Sequence, residues 1–307
     1  MIFSIIICTY NRDEILKESI NSILNLDLDK TAFEVIIIDN YGKSNTKEIV
    51  SSFLVYENFN INYHFEHRPG LSFARNKGYD VAQGDWIFYL DDDALIDSNY
   101  LKLAEKYLSD SNIFCLGGIY KPWYKYKKPK WYIDECAASM NKPNVFSVLN
   151  NDQFLDGNNF IINKKVIVEL GGFRTDLGMK EMSIGYGEET ELQIRLRQRG
   201  KNIYYSPDLV VSHLVPLYKM NVNWILRSWY NHGKYYWTTY NVQPSGYRYG
   251  IKTLVKISIH MAGRFISNTP KLLNRDYFHQ NLFVDSLKLP IWEFGRLIGS
   301  KNNNVRN

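Results

Sequence analysis

Trp86-Ile87-Phe88-Tyr89-Leu90-Asp91-Asp92-Asp93 is the stretch whose reading decides the fold. Its apolar and aromatic run is too short for a buried helix and reads as a strand. The carboxylates that end it oppose one another's ionisation, because each adjacent charge disfavours the next. A divalent cation relieves that repulsion, and oxygen ligands favour a hard ion such as Mg2+ or Mn2+. A solvated acidic turn explains an isolated Asp triplet equally well. The position after a strand favours a site, since ligands of open α/β sheets bind beyond the carboxyl ends of the strands.

The segments around this stretch alternate in the way a parallel sheet requires. Ile2 to Cys8 is a β-branched run that reads as a buried first strand, followed by the polar turn Thr9-Tyr10-Asn11-Arg12. Leu16, Ile20, Ile23 and Leu24 then recur at helical spacing, and Val35-Ile36-Ile37-Ile38 forms a second strand closed by Asp39-Asn40. Strand, helix, strand is the βαβ pattern. Further elements are expected as a helix over 44–55, a strand over 61–66, a helix after Gly70, a helix over 99–108 and a strand over 113–120. A Gly-rich dinucleotide turn and a Walker-type phosphate loop are both missing after the first strand, so those readings lose their motif.

Beyond this α/β portion, Lys121 to Tyr132 (KPWYKYKKPKWY) reads as a basic, aromatic loop by its prolines. It suits either solvent or a rim that grips an anionic or sugar-bearing acceptor. Phe154 to Asn163 reads as a strand with a glycine kink, and a helix follows from Lys164 to Leu170. A helix opens at Tyr186-Gly187-Glu188-Glu189 and stops at Gly200; two short strands over 202–206 and 209–213 close the domain.

Charge divides the chain. From Lys219 to Asn307 there are 13 Lys/Arg and 3 Asp/Glu, against a net charge of +5 for all 307 residues. That region also carries Trp224, Trp229, Tyr235, Tyr236 and Trp237, with helical candidates over 250–265 and 277–298. Two domains are therefore expected, 1–218 and a basic, aromatic, mainly helical extension over 219–307. The extension suits a peripheral membrane contact, an acceptor or a second subunit as a homodimer. No run reaches the roughly 18 apolar residues of a membrane span. The three cysteines, Cys8, Cys115 and Cys136, lack metal spacing and suggest a reducing compartment. The expected location is cytoplasmic, peripheral on the inner face of the cell membrane. No nucleic-acid-binding module is recognisable.

Several motifs together carry a resemblance. They are Ile5-Ile6-Ile7-Cys8-Thr9-Tyr10-Asn11-Arg12, Val35-Ile36-Ile37-Ile38-Asp39-Asn40, Gly70 to Gly78 (GLSFARNKG), Asp85 to Asp93, Gly157-Asn158-Asn159 with Gly171-Gly172-Phe173, and Gly187 to Leu192 (GEETEL). In order and spacing they resemble the inverting nucleotide-sugar glycosyltransferases of family 2, over about residues 2–213. The resemblance implies a GT-A fold, a Rossmann-like α/β nucleotide-sugar domain. It also implies a nucleoside diphosphate sugar donor, with UDP expected, and Mn2+ or Mg2+ as cofactor. The basic, aromatic C-terminal region suits a glycan or a lipid-linked acceptor, in the synthesis of cell-surface polysaccharide or glycoconjugate.

It further implies roles by position. Asp39 would accept hydrogen bonds from the nucleotide base, and Thr9 and Tyr10 would line that base pocket, with Asn11 and Arg12 in the same donor-binding turn. Arg75 would lie near the base or phosphates, Asp91 would face the ribose or sugar, and Asp92 falls within the donor-binding set. Asp93 would bind the metal and His213 would supply a second ligand. Glu188 and Asn158 would contact acceptor or sugar; Trp123 joins them from the basic, aromatic segment over 121–132, by its own composition. Glu189 occupies the general-base position, where the family carries Asp; its extra methylene departs from that pattern, and exchanged roles for Glu188 and Glu189 stay open. A sugar nucleotidyltransferase is the competing enzyme reading, and a non-catalytic glycan- or nucleic-acid-binding protein is the other.

Overall fold

β1 (Phe3–Thr9), β2 (Phe33–Asp39) and β4 (Trp86–Asp91) are strands because their β-branched and aromatic runs can be buried on both faces, and β1 and β2 are buried nearly throughout. The computed structural model describes residues 2–137, 142–181, 183–242 and 247–303. By their internal contacts these fall into two compact units. The first comprises Met1–Trp123, Ala138–Asp176 and Glu188–Leu214; the second comprises Tyr124–Ala137, Leu177–Gly187 and Val215–Asn307.

The first unit holds one mixed sheet. With β3 (Ile61–Phe65), the strands β3, β2, β1 and β4 are parallel neighbours. The order continues through β8 (Phe160–Asn163), β6 (Cys115–Trp123), β9 (Tyr204–Leu214) and β5 (Ala94–Ile96), while the short β7 (Ser147–Val148) pairs with β9. β4 and β6 both run antiparallel to β8, and β6 runs parallel to β9. Alternation along the strands sorts the core into two layers. Ile5, Ile7, Val35 and Ile37 face α1 (Asp13–Leu24) and α4 (Tyr100–Leu108); α2 (Thr46–Ser52) adds Ile49 and Val50 to that face. Ile6, Ile36 and Ile38 face the opposite layer, with Ala74 of α3 (Leu71–Val81), Ile167 of α5 (Lys164–Leu170) and Leu192 and Leu196 of α6 (Glu188–Gln198). Burying an Ile or Leu fully contributes about 1.5–3 kcal/mol, so both faces of the sheet anchor the strand ends firmly.

Several expectations need correction. The loop expected over 121–132 begins later, because Lys121, Pro122 and Trp123 extend β6 beside Ser212, His213 and Leu214. The strand expected from Phe154 begins only at Phe160, where pairing with β4 becomes possible. The two closing strands are one, β9, with a register shift opposite Gly118 and Ile119 that accommodates 207–209. α6 starts at Glu188, since Gly187 has φ +98° and cannot continue a helix.

The second unit is built on three helices, α7 (Val222–Tyr240), α8 (Tyr247–Asn268) and α9 (His279–Asn303). α7 and α9 meet backbone to backbone through glycines. A Cβ on Gly233 would lie 2.0 Å from the Trp292 carbonyl oxygen, and one on Gly295 would lie 2.0 Å from that of Tyr230. Trp237 Nε1 donates to the Arg296 carbonyl at 2.7 Å across the same contact. A smaller apolar cluster joins Tyr132, Val215, Met220, Ile225 and Val284. Among the described residues no helix is long and apolar enough to cross a membrane.

Candidate functional site

The parallel strands end in a row of polar residues, and the turn after each positions the next part of the site. β1 ends at Thr9, whose hydroxyl donates to Asp92 Oδ2 at 2.7 Å. Asn11 adopts φ +55° in the turn that follows. Arg12 then bridges two carboxylates, with Nη1 3.0 Å from Asp92 Oδ1 and 2.7 Å from Asp93 Oδ2. Burial pushes the Asp92 carboxyl up to about 6; Arg12 opposes the rise and the Asp93 charge adds to it.

Strand register delivers the imidazole. His213 of β9 pairs with Ala94 of β5, and the Leu214 amide donates to the Asp93 carbonyl at 2.8 Å. His213 Nε2 therefore stands 2.9 Å from Asp93 Oδ1 and 3.7 Å from Asp91 Oδ2. The Tyr120 ring holds it edge to face, with centroids 5.8 Å apart. One potential ligand atom from each of Asp91, Asp93 and His213 lies within 4.8 Å of the others. Two carboxylates and an imidazole converging this closely fit a divalent cation of the Mn2+ or Mg2+ kind. Asp91, expected at the ribose or sugar, thus stands among the candidate ligands. Asp92, expected among the donor contacts, turns its carboxylate inward to Thr9 and Arg12.

A second cluster surrounds Arg75, which is only 4% exposed on α3. Its Nη1 donates to Glu188 Oε1 at 2.8 Å and lies 3.8 Å from Glu189 Oε2, while Nη2 lies 3.8 Å from Asp91 Oδ1. The guanidinium also rests over the Phe173 ring, 5.4 Å from its centroid. Burial holds the Glu188 carboxyl well above the usual carboxylate range; the Glu189 charge adds to this and Arg75 opposes it. Glu188 therefore retains a proton more readily than an ordinary carboxyl does. Glu188 Oε2, Glu189 Oε2 and Asn158 Oδ1 are buried and accept no hydrogen bond, apart from the proton one Glu could offer the other. Gly157 closes over the cluster: a Cβ there would lie 2.7 Å from Arg75 Nη2 and 3.0 Å from Glu189 Oε1. Buried polar atoms without hydrogen-bond partners are rare, and a water, an ion or a catalytic role commonly accounts for them.

Asp39 lies at the end of β2 and is 1% exposed. Its Oδ1 accepts from the amides of Tyr41 at 2.8 Å and Gly42 at 3.0 Å, and its Oδ2 accepts from the Tyr63 hydroxyl at 2.9 Å. Tyr10 leans on Tyr41, with ring centroids 4.8 Å apart. Trp123, half-buried, ends β6 opposite Leu214, one position beyond the partner of His213.

The structure thus brings Thr9, Arg12, Asp91, Asp92, Asp93 and His213 together, and joins Arg75, Glu188 and Glu189 beside Gly157. Sequence reasoning placed Arg75 near base or phosphates and missed its bond to Glu188. The 113-residue separation of that pair leaves no local signal. Tyr63 and Tyr120 were also missed; for Tyr63, the parallel register with β2 holds a usable signal, since it sits two residues before the partner of Asp39.

Comparison with known proteins finds glycosyltransferases. The glucosyl-dolichyl phosphate glucuronosyltransferase of Haloferax volcanii is 24% identical over 229 residues, covering 73% of this chain and 72% of that protein. Several other curated relatives are matched over less than half of their own length. Among solved structures, the mannosyltransferase PcManGT from Pyrobaculum calidifontis in complex with GDP-Man and Mn2+ superposes with a TM-score of 0.60 at 17% identity, covering 99% of this chain and 86% of that one. Residues 1–349 of TarS from Staphylococcus aureus, in complex with UDP-GlcNAc, give 0.57 at 16% identity, covering 100% and 93%. These structures share the GT-A fold with this chain. The family model for glycosyl transferase family 2 matches residues 4–171, more than half of the sequence and the part that carries the Asp triplet, and the chain belongs to that family of glycosyltransferases.

Proposed function

We propose that the enzyme moves a sugar from a nucleoside diphosphate sugar, UDP-linked, to a hydroxyl of a glycan or lipid-linked acceptor, with inversion at the anomeric carbon. The observation that carries this reading is the convergence of Asp91, Asp93 and His213 beside the buried Arg75–Glu188–Glu189 cluster. Asp91, Asp93 and His213 would hold the divalent cation. Bound there, Mn2+ or Mg2+ would offset the charge that develops on the departing diphosphate.

The protein's own residues supply the rest. Arg75 fixes Glu188, which leaves Glu189 as the more accessible carboxylate, with its side chain 24% exposed against 5%. Glu189 would accept the proton of the acceptor hydroxyl as its oxygen bonds to the anomeric carbon and the bond to the diphosphate breaks. Asp39, with Thr9, Tyr10 and Asn11, would border the base, and the Tyr10–Tyr41 pair offers it an aromatic flank. Arg12 would balance Asp92 and Asp93, while Asn158 and Trp123 would meet the sugar or acceptor. The reading also places the enzyme at the inner face of the cell membrane, in the synthesis of cell-surface glycans. Support for a metal and a nucleotide sugar comes from neighbours solved with GDP-Man and Mn2+ and with UDP-GlcNAc.

The test is thermal unfolding with UDP-, GDP- and dTDP-sugars, each with Mn2+, Mg2+ or a chelator. A ligand at 100 times its Kd stabilises the folded state by about 2.7 kcal/mol. A UDP-sugar should raise the melting temperature only with the metal present. A shift that survives chelation would contradict the metal reading, and a shift with GDP-sugars alone would contradict the UDP donor.

A further inference from the structure

Helix α8 lies at the edge of the second unit's helices. One face meets α9: Asn268 Nδ2 reaches Ser286 Oγ at 3.3 Å, Lys256 Nζ reaches Glu293 at 2.9 Å, and Arg264 donates to the Asp285 carbonyl at 3.3 Å. The other face is apolar and uncovered. Ile251, Leu254, Val255, Ile259 and Ile266 are 49%, 50%, 54%, 65% and 76% exposed, and Leu273 in the 3-10 turn that follows is 92% exposed. At 3.6 residues per turn the five α8 side chains occupy an arc of roughly 140°. A helix of a globular protein ordinarily turns such a stripe to the core.

Charge identifies what covers it. From Tyr247 to Arg275 the sequence has six Lys/Arg and no Asp or Glu. Lys252, Lys271 and Arg275 are exposed. A second copy of the chain would also bury the stripe. A two-fold contact along α8, however, would set these cations against their own images with no acid on the segment to meet them. Anionic headgroups complement both features at once, since apolar side chains enter the acyl boundary and cations remain at the phosphates. The helix is too polar to cross a bilayer.

We propose that α8 and the following turn lie in the plane of an anionic membrane surface. Ile259, Ile266 and Leu273 are inserted, and Lys252, Lys271 and Arg275 face headgroup phosphates. The experiment is flotation of the full chain with phosphatidylcholine vesicles, with and without phosphatidylglycerol. It needs no donor or acceptor, so it stands or falls apart from the transfer reaction. The chain should float with the anionic vesicles, and Ile259→Glu/Ile266→Glu should weaken that binding by about 10-fold or more. Lys252→Glu/Lys271→Glu, also at exposed positions, should weaken it comparably and remove its salt dependence. Both variants should melt as the parent does. No flotation by the parent, or variants that float equally well, would overturn the proposal. Light scattering that shows a dimer dissolved by Ile259→Glu/Ile266→Glu would give the face to a second copy instead.

Discussion

Two buried carboxylates in the same unit, Glu34 and Glu188, are 1% and 3% exposed, yet their surroundings are opposite. Glu34 stands at the start of β2, at the amino end of the parallel strands. Its Oε1 accepts from the Ser4 hydroxyl and the Gln83 amide, both at 2.6 Å, and no other carboxylate crowds it among the described contacts. Glu188 lies toward the carboxyl ends, against Glu189, with Arg75 as the shared counter-charge and two carboxylate oxygens that accept no hydrogen bond beyond a proton shared between the pair. The first arrangement serves stability, because each partner is satisfied. The second is electrostatically crowded, and such crowding is sustained where a ligand or a proton completes it.

That contrast can be broken by substitution. The largest effect is expected at Asp93, which combines the His213 and Arg12 contacts. Asp93→Ala should lower metal-dependent transfer by about 10³-fold, since removing one preorganised electrostatic partner costs roughly 10²–10³ in rate. Its far-UV circular dichroism should match the parent, and full activity would remove Asp93 from the site. At the other end of the sheet, Glu34→Ala should destabilise the fold by about 1–3 kcal/mol, because Ser4 and the Gln83 amide lose a buried acceptor. Donor binding by the folded protein should stay the same. A Glu34→Ala protein as stable as the parent would erase the distinction between the two ends.

How much of this was legible in the sequence follows from the range of each signal. The βαβ order shows in Ile5-Ile6-Ile7 and Val35-Ile36-Ile37-Ile38 because double-sided burial demands uninterrupted apolar strands. The Asp91–Asp93 triplet and Glu188-Glu189 are contiguous, so their crowding shows as well. Asp91's place beside Asp93 and His213 does not show, because it depends on β9 pairing with β5 and on one side chain's direction. The extension of β6 through Trp123 was hidden by Pro122, which reads as a loop signal although the strand's other partner positions are intact. In the second unit the helices are legible by period. Their packing is not, because it rests on Gly233 and Gly295, more than sixty residues apart, allowing two backbones to touch.

The measurement that bears most directly on the account compares Glu189→Gln with the parent in three readouts: kcat, donor affinity and melting temperature. The substitution removes one of two crowded carboxylates while keeping its shape. The account predicts a kcat lower by about 10²-fold or more, an unchanged Kd for the nucleotide sugar, and a melting temperature equal to or above the parent's, because repulsion from Glu188 is relieved. Losses of equal size in kcat and donor affinity, or a lowered melting temperature with transfer intact, would contradict it.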